Sequence, residues 1–516
     1  HLRRHDFGIA DAAHALFYAA AQREADRGRV RTTIDRGLQR FVQAQTQDVV
    51  AALQAYHVTD GAALVVDNRS GDVLAYAGSP GYFQDDVLGR NDGVQALRQA
   101  GSSLKPFTYE LALERGTIRS TSILADVPAA YALPDGRLYQ PADYSGRFSG
   151  PVRVRYALAN SLNAPAVQVL SAVGVGSLLD RLHELGFSHL NRPAAYYGLG
   201  LTLGSGEVSL WELVGAYATI ARNGETLPLR LVAGRAKQHR RIGRASYWQL
   251  IADMLADPYA RAKSFGLGSV LQLPFPAAVK TGTSSDFRDT WTVGFTRDYT
   301  VGVWVGNFDG SPMRGVSGVT GAGPLWNRIM LHLYERRDEP PQFPAPVGFV
   351  HAAICATTGR APSASHGDCP AIVKEWVPRG ELAELALPAP ASGRRYDAWL
   401  ALHDAGESAQ LRIIFPHDGD VFVRSAPASR LALGEEQLAL RAVNRGKPIV
   451  WHVNGAPVGF DATGNAFWPL RLGTWRIDAN DGKQHDAITI RVVPPSPVAR
   501  PGFTLLNASN ANNRKL

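Results

Sequence analysis

A chain of 516 residues has room for two or three domains. Its 45% hydrophobic and 19% charged residues are the balance of a globular protein, and no run of 18 apolar residues marks a membrane span. The net charge of +8 suits anionic partners such as cell-wall polymers or membrane surfaces, but there is no aromatic-interleaved basic patch, so no nucleic acid is expected.

Taken in chain order, Arg31 to Ile34 reads as a connecting strand. Leu38, Phe41, Val42, Val49, Val50 and Leu53 then give a helical stripe from about Asp35 to Tyr56. Ala62 to Val66 and Val73 to Tyr76 flank the turn residues 68 to 71 as a hairpin. Residues 102 to 115 read as an amphipathic helix, with Leu104, Phe107 and Leu111 at i, i+3 and i+7, Pro106 in the first turn and Gly116 as the stop. Ser102 then stands at a partly positive helix N-terminus, and Lys105 lies one turn on along the same face. Ala277 to Thr283 is a short strand carrying Lys280-Thr281-Gly282-Thr283. Thr290 to Thr296 and Tyr299 to Val305 form a second hairpin around Arg297-Asp298. One antiparallel sheet with helices beside it is the natural assembly.

Residues 339 to 347 form a stiff proline-rich linker, and Leu387 to Gly393 a second Pro- and Ala-rich stretch, with a cysteine-bearing segment between them. From residue 410 the pattern changes. Segments 411 to 415, 438 to 442, 449 to 453 and 487 to 492 alternate like strands, and Asp418-Gly419, Asn454-Gly455 and Asp481-Gly482 mark turns, so 410 to 495 reads as an all-β sandwich. Residues 496 to 516 have the composition of a disordered tail. No internal repeat is visible.

Three short motifs carry the chemistry. Lysine occurs at only eight positions, and only Lys105 has a serine, Ser102, three residues before it. Ser161-Leu162-Asn163 is likewise the only Ser-x-Asn, and the three motifs start 59 and then 119 residues apart. Taken singly, Ser102 is a helix cap, Asn163 a turn former and Lys280 a solvated strand-end charge. Taken in order, Ser-x-x-Lys, Ser-x-Asn and Lys-Thr-Gly are the motif set of the penicillin-recognising serine acyltransferases.

The surrounding strings extend that resemblance. Gly101 to Phe107, Gly150-Pro151-Val152, Arg155 and Ala157-Leu158 before Ser161 to Ala166, Glu207 to Ala218, Asp289-Thr290-Trp291, Gly302 to Asn307 and Asp309 to Met313 all resemble the transpeptidase domain of the class A penicillin-binding proteins. The match covers roughly residues 29 to 330 well and the C-terminal part more loosely. The resemblance implies an α/β (α+β) fold, the penicillin-recognising serine transpeptidase fold. It has an antiparallel five-stranded sheet with helices on both faces and a helical subdomain, followed by a small all-β sandwich.

The implied division is 1–56, an N-terminal linker or pedestal remnant; 57–335, the transpeptidase domain; 336–409, the linker and cysteine-bearing segment; 410–495, the sandwich; and 496–516, the tail. The chain starts at His1, and the membrane helix and glycosyltransferase domain of the class are not seen, so it reads as a fragment of a bifunctional enzyme. The full-length protein is expected at the periplasmic face of the bacterial inner membrane.

The implied substrates are peptidoglycan stem peptides, with a D-Ala-D-Ala donor and an amine acceptor. β-Lactams are implied as covalent inhibitors, and cell-wall synthesis proteins as partners of the C-terminal domain. Ser102 is the implied nucleophile, Lys105 its base and Ser161 the proton relay. Asn163 orients the substrate amide and holds Lys105. Lys280 lowers the Lys105 pKa as a second cation and, with the hydroxyls of Thr281 and Thr283, binds the terminal carboxylate. Backbone N–H groups of Ser102 and Thr283 form the oxyanion hole. Gly282 keeps the strand clear for substrate to pair on its edge.

No metal or organic cofactor is needed. No Glu-x-x-x-Asn follows Ser161, so a β-lactamase is not expected. A D,D-carboxypeptidase, and a β-lactam sensor or wall scaffold without turnover, stay open. Cys355 and Cys369 enclose a short loop, and a location outside the membrane permits a disulfide between them. Two free thiols, or a zinc site with His351 and His366, are the alternatives.

Overall fold

The computed structural model describes residues 9–21, 31–84, 88–128, 131–132, 138–139, 148–234, 239–266, 268–362, 369 and 371–387. In the C-terminal part it describes residues 411–416, 418, 421–423, 437–443, 449–459 and 466–493. The Leu387 to Gly393 stretch beyond its first residue, His366 and the tail lie outside the described residues. The chain divides into two compact units, His1–Tyr396 and Asp397–Leu516. Among the described residues no helix is long and apolar enough to cross a membrane.

The first unit opens with α1 (Ile9–Ala21), which no sequence periodicity announces, and α2 (Arg36–Ala52), whose Asp35 side chain caps its first turn by accepting from Leu38 N–H. Strands β1 (Asp60–Asp67) and β2 (Val73–Ala77) form the expected first hairpin. Helices α3 (Lys105–Glu114), α4 (Val154–Ala159), α5 (Asn163–Val173), α6 (Val175–Glu184), α7 (Leu210–Ala221) and α8 (Ala245–Ala256) follow. Ser209 and Glu212 close α7 with a reciprocal capping box. Strands β3 (Ala278–Thr283), β4 (Asp289–Phe295) and β5 (Tyr299–Gly306) complete the sheet, and α9 (Ala322–Tyr334) comes after them.

The sheet order is β3-β4-β5-β1-β2, with every pairing antiparallel. Alternation along the strands sorts side chains between two cores. Ala62, Leu64, Val66, Trp291, Val293 and Phe295 join α3, α7 and α8, whereas Ala63, Val65, Val301, Val303 and Val305 join α2 and α9. The apolar rows of β4 and β5 therefore point to opposite faces, since Trp291 pairs with Trp304 and Thr292 with Val303. The sheet is covered on both sides. The α2 helix is one of its covering layers, and the Gln39 side chain donates to the Tyr76 carbonyl (3.0 Å) and accepts from its N–H (2.7 Å).

One expectation changes sharply here. The α3 helix is buried on every side from Lys105 to Leu113, so it is a central helix and not an amphipathic surface one.

The proline-rich stretch lies along the first unit: Phe343 packs edge-on to Phe295, and Val347 N–H donates to Gln249. The cysteine segment forms a hairpin of β6 (Phe349–Cys355) and β7 (Ile372–Pro378). Cys355 and Cys369 are joined in a disulfide. The described residues 336–362 and 371–387 thus fall within the first compact unit.

In the second unit β8 (Arg412–Phe415), β9 (Val421–Val423), β10 (Gln437–Val443), β11 (Val450–Val453), β12 (Ala456–Val458), β13 (Ala466–Pro469), β14 (Gly473–Asn480) and β15 (His485–Val493) form two sheets. Their orders are β8-β10-β13 and β9-β15-β14-β11-β12. Both contribute to one apolar core that includes Leu440, Trp451, Trp468, Ile477 and Ile490. Asn454 and Gly455, both at positive φ, make the two-residue turn between β11 and β12.

Candidate active site

The chain enters α3 through a 3-10 turn, Gly101–Leu104. Gly101 has φ +56°, and a Cβ there would stand 2.6 Å from the Thr283 carbonyl oxygen. The turn therefore rests directly on the end of β3. Gly282 is needed for the same contact, because a Cβ on it would come within 2.5 Å of the Ala100 carbonyl oxygen. That differs from the expected role of clearing the strand edge: the missing side chain admits the turn that bears Ser102.

Three further bonds hold this turn. Trp291 Nε1–H donates to the Gln99 carbonyl (2.8 Å), the Tyr217 hydroxyl to the Ser103 carbonyl (2.7 Å), and Ser103 Oγ–H to the Ala100 carbonyl (2.7 Å). Ser102 itself is half-buried, and no side chain caps α3. The capping interpretation of Ser102 does not hold.

The second motif sits where α4 ends. Asn160 stops that helix and ties it outward, donating to the Ala260 carbonyl (2.6 Å) and accepting from Ser264 N–H (3.0 Å). Ser161 then takes φ +60°, a left-handed conformation uncommon for serine, and Asn163 begins α5.

Ser161 Oγ lies between two lysine amines. Lys280 Nζ donates to it at 2.7 Å and to the Thr281 carbonyl at 2.9 Å. Lys105 Nζ lies 3.4 Å from the same hydroxyl. It also donates to the Ser161 carbonyl, the Leu162 carbonyl (3.0 Å) and Asn163 Oδ1 (2.6 Å). Three oxygen acceptors match the three N–H donors of an ammonium. Both lysines are buried. Burial, then the nearby charge of Lys105, holds Lys280 well below the ordinary lysine range. Lys280 is thus a depressed amine within this lysine pair.

Lys105, Ser161, Asn163 and Lys280 form one hydrogen-bonded cluster, drawn from α3, the α4–α5 turn and β3. Ser102 stands one turn before Lys105, and the Gly101 contact places it beside Thr283, its expected partner in an oxyanion hole. Thr281 and Thr283 alternate onto the other side of β3 from Lys280 and Gly282. There the Thr283 hydroxyl accepts from Gly318 N–H (3.0 Å), which leaves its own proton available to donate. Tyr217, Trp291 and Asn160 hold the site and were given no site role from sequence. The available signal was chemical, since a buried tyrosine or tryptophan needs a partner for its O–H or N–H.

Comparison with known proteins gives the family. Residues 61–331 match the family described as "Penicillin binding protein transpeptidase domain", and residues 401–490 that described as "Penicillin-Binding Protein C-terminus Family". The chain is 32% identical over 375 residues to penicillin-binding protein 1C of Escherichia coli (strain K12), covering 72% of this chain and 47% of the relative. It is 32% identical over 292 residues to penicillin-binding protein 1A of Neisseria gonorrhoeae, covering 52% and 35%. The chain therefore spans about half the length, or less, of these curated relatives. The crystal structure of penicillin-binding protein 1A from Haemophilus influenzae shares the fold, with a TM-score of 0.53 at 21% identity over 64% of this chain and 54% of that one.

Proposed function

The chain belongs to the penicillin-binding protein transpeptidase family, and from that premise we propose that it is a peptidoglycan D,D-transpeptidase acting through a serine acyl-enzyme. The observation that carries this reading is the Ser161 hydroxyl between Lys105 and Lys280, because it joins all three motifs in one proton path.

Ser102 Oγ attacks the carbonyl carbon of the penultimate D-Ala, and its proton passes to an unprotonated lysine amine. Burial and the charge of Lys105 lower Lys280, which favours loss of a proton there. Loss of the first proton leaves one neutral amine. Transfer through Ser161 Oγ–H moves that vacancy from Lys280 to Lys105, next to Ser102. Ser161 then hands a proton to the departing D-Ala nitrogen, and Asn163 Oδ1 keeps the Lys105 amine in line. Backbone N–H groups of Ser102 and Thr283 receive the oxyanion. Lys280 with Thr281 and Thr283 takes the terminal carboxylate. An amine of a neighbouring stem peptide resolves the acyl-enzyme and forms the cross-link. The full-length protein works at the periplasmic face of the inner membrane, and the second unit serves as a binding domain for wall or protein partners.

The test pairs labelled penicillin, followed by mass spectrometry of the peptide holding Ser102, with turnover of a D-Ala-D-Ala pentapeptide in the presence of an amine. Stoichiometric label on Ser102 and a new amide product are expected, with both lost in Ser102→Ala. Label that persists in Ser102→Ala sinks the assignment. Release of D-Ala without amide formation makes the protein a carboxypeptidase, and label without release makes it a sensor.

A further inference from the structure

The second motif is seated by a carboxylate from far along the chain. Arg155 lies on α4, six residues before Ser161, and is buried. Glu375 on β7, also buried, takes its Nε–H at 3.0 and 3.1 Å and one terminal nitrogen at 2.6 Å. Asp253 on α8 shares that nitrogen at 2.6 Å, and Asp257 stands 3.5 Å from the other. Arg153 lies 3.4 Å from Glu375. Glu375 is the only carboxylate of the group that lies outside residues 61–331, the span matched by the transpeptidase family.

The α4 helix has six residues, too few to hold its place by itself. Val154, Ala157 and Leu158 pack it into the core, and two polar ties fix its ends: Asn160 at the C-terminal end and the Arg155 fork at the other. Three residues, Asn160, Ser161 and Leu162, separate its end from Asn163. A shift of α4 therefore moves the Ser161 carbonyl and hydroxyl and Asn163 Oδ1 relative to the two lysines.

We propose that Glu375 is a positioning residue for acylation: through Arg155 it fixes α4, and so fixes the seat of Ser161 and Asn163 around Lys105 and Lys280. The β6–β7 hairpin is by this inference a working part of the active-site scaffold. The inference rests on the proposed acylation of Ser102.

The experiment compares Glu375→Gln with Ser120→Ala in the full chain. Ser120 Oγ–H donates to the carbonyl of Trp376, the next residue of the same strand, so its loss loosens the hairpin without touching α4. Labelled penicillin gives two readouts, the saturating acylation rate constant and the fraction of protein labelled. A merely structural role lowers the fraction. A positioning role lowers the rate constant, because displacing reacting groups by about 1 Å costs on the order of a hundredfold. The expected result is a rate constant down about tenfold or more in E375Q, with the labelled fraction kept and S120A close to the unaltered chain. If E375Q does not fold, Arg155→Lys, which keeps the charge and loses the fork, is held to the same criteria. An unchanged rate constant, a loss confined to the labelled fraction, or an equal fall in S120A overturns the inference alone. Failure of the unaltered chain to label overturns the proposed function and this inference with it.

Discussion

The two units of this chain bury different things. Among the described residues, the first unit places Lys105, Glu110, Arg155, Lys280 and Glu375 below the surface, while every buried residue of the second unit is apolar. Taking a charge out of water is costly unless it is paired and hydrogen-bonded. The second unit follows the rule that makes a stable core. The first departs from it where three motifs meet and again along the ion cluster behind α4. Under the proposed function, the buried charge of the motif cluster and of the α4 cluster serves chemistry or its positioning, whereas Glu110 pairs with Arg181 of α6.

The sharpest way to break that comparison is Lys280→Met. If Lys280 is buried for function, its loss removes acylation and relieves the fold. We expect the acylation rate constant to fall about a hundredfold or more, with stability rising by about 1 kcal/mol at neutral pH. The sign follows from linkage. The native state disfavours the Lys280 ammonium, so the unfolded chain binds that proton more readily and stability climbs with pH towards the ordinary lysine value of 10.5. The burial penalty is fully present below the lowered pKa of Lys280 and gone above 10.5. The gain from Lys280→Met is therefore largest at low pH and shrinks as pH rises. Thermal melts of both proteins across pH check this, and a methionine variant less stable at neutral pH would contradict the comparison.

The motifs and the sheet were legible because their signals are local. Lys280 lies on a six-residue strand with its own alternation, and the β1–β2 and β4–β5 hairpins carry turn residues between apolar runs. What escaped was long-range or two-sided. The apolar rows of β4 and β5 look like one surface in sequence, yet their register sends them to opposite faces. The stripe of Leu104, Phe107 and Leu111 suggested one buried face. Glu110 instead pairs with Arg181 of α6, and Thr108 bonds Thr202. Gly282 could be flagged as necessary, but its reason lay in Ala100, far from it in sequence. Glu375 is 220 residues from Arg155, and nothing in its neighbourhood distinguishes it from a surface glutamate. In the second unit β14 was missed, although Trp475, Ile477 and Ala479 alternate along it.

The second unit offers the reverse test. Ile477 is fully buried in its apolar core. Truncation to alanine removes buried volume and costs about 2–5 kcal/mol. Calorimetry is expected to show that loss in the unfolding of the second unit. The acylation rate constant of Ser102 is expected to stay unchanged. A parallel fall in acylation would show that the apolar core also serves the chemistry.

The smallest effect is expected at Tyr217, where the first unit mixes both kinds of burial. Its ring packs edge-on to Phe107, and burial keeps its phenol protonated across the working pH range, so the hydroxyl remains a donor to the Ser103 carbonyl. Phenylalanine keeps the packing and leaves that carbonyl short of one partner, a loss of about 1 kcal/mol. The turn has a second support that phenylalanine does not touch, the close contact of Gly101 with Thr283. If packing carries the turn, Tyr217→Phe slows acylation by no more than about fivefold, in line with its loss of stability. If the hydroxyl aims the Ser102 N–H at the oxyanion, the rate constant falls well beyond the change in stability, towards the hundredfold typical of a lost oxyanion donor. Measuring acylation and melting on the same preparation separates the two, and we expect the smaller effect because two glycine contacts already hold the turn against β3.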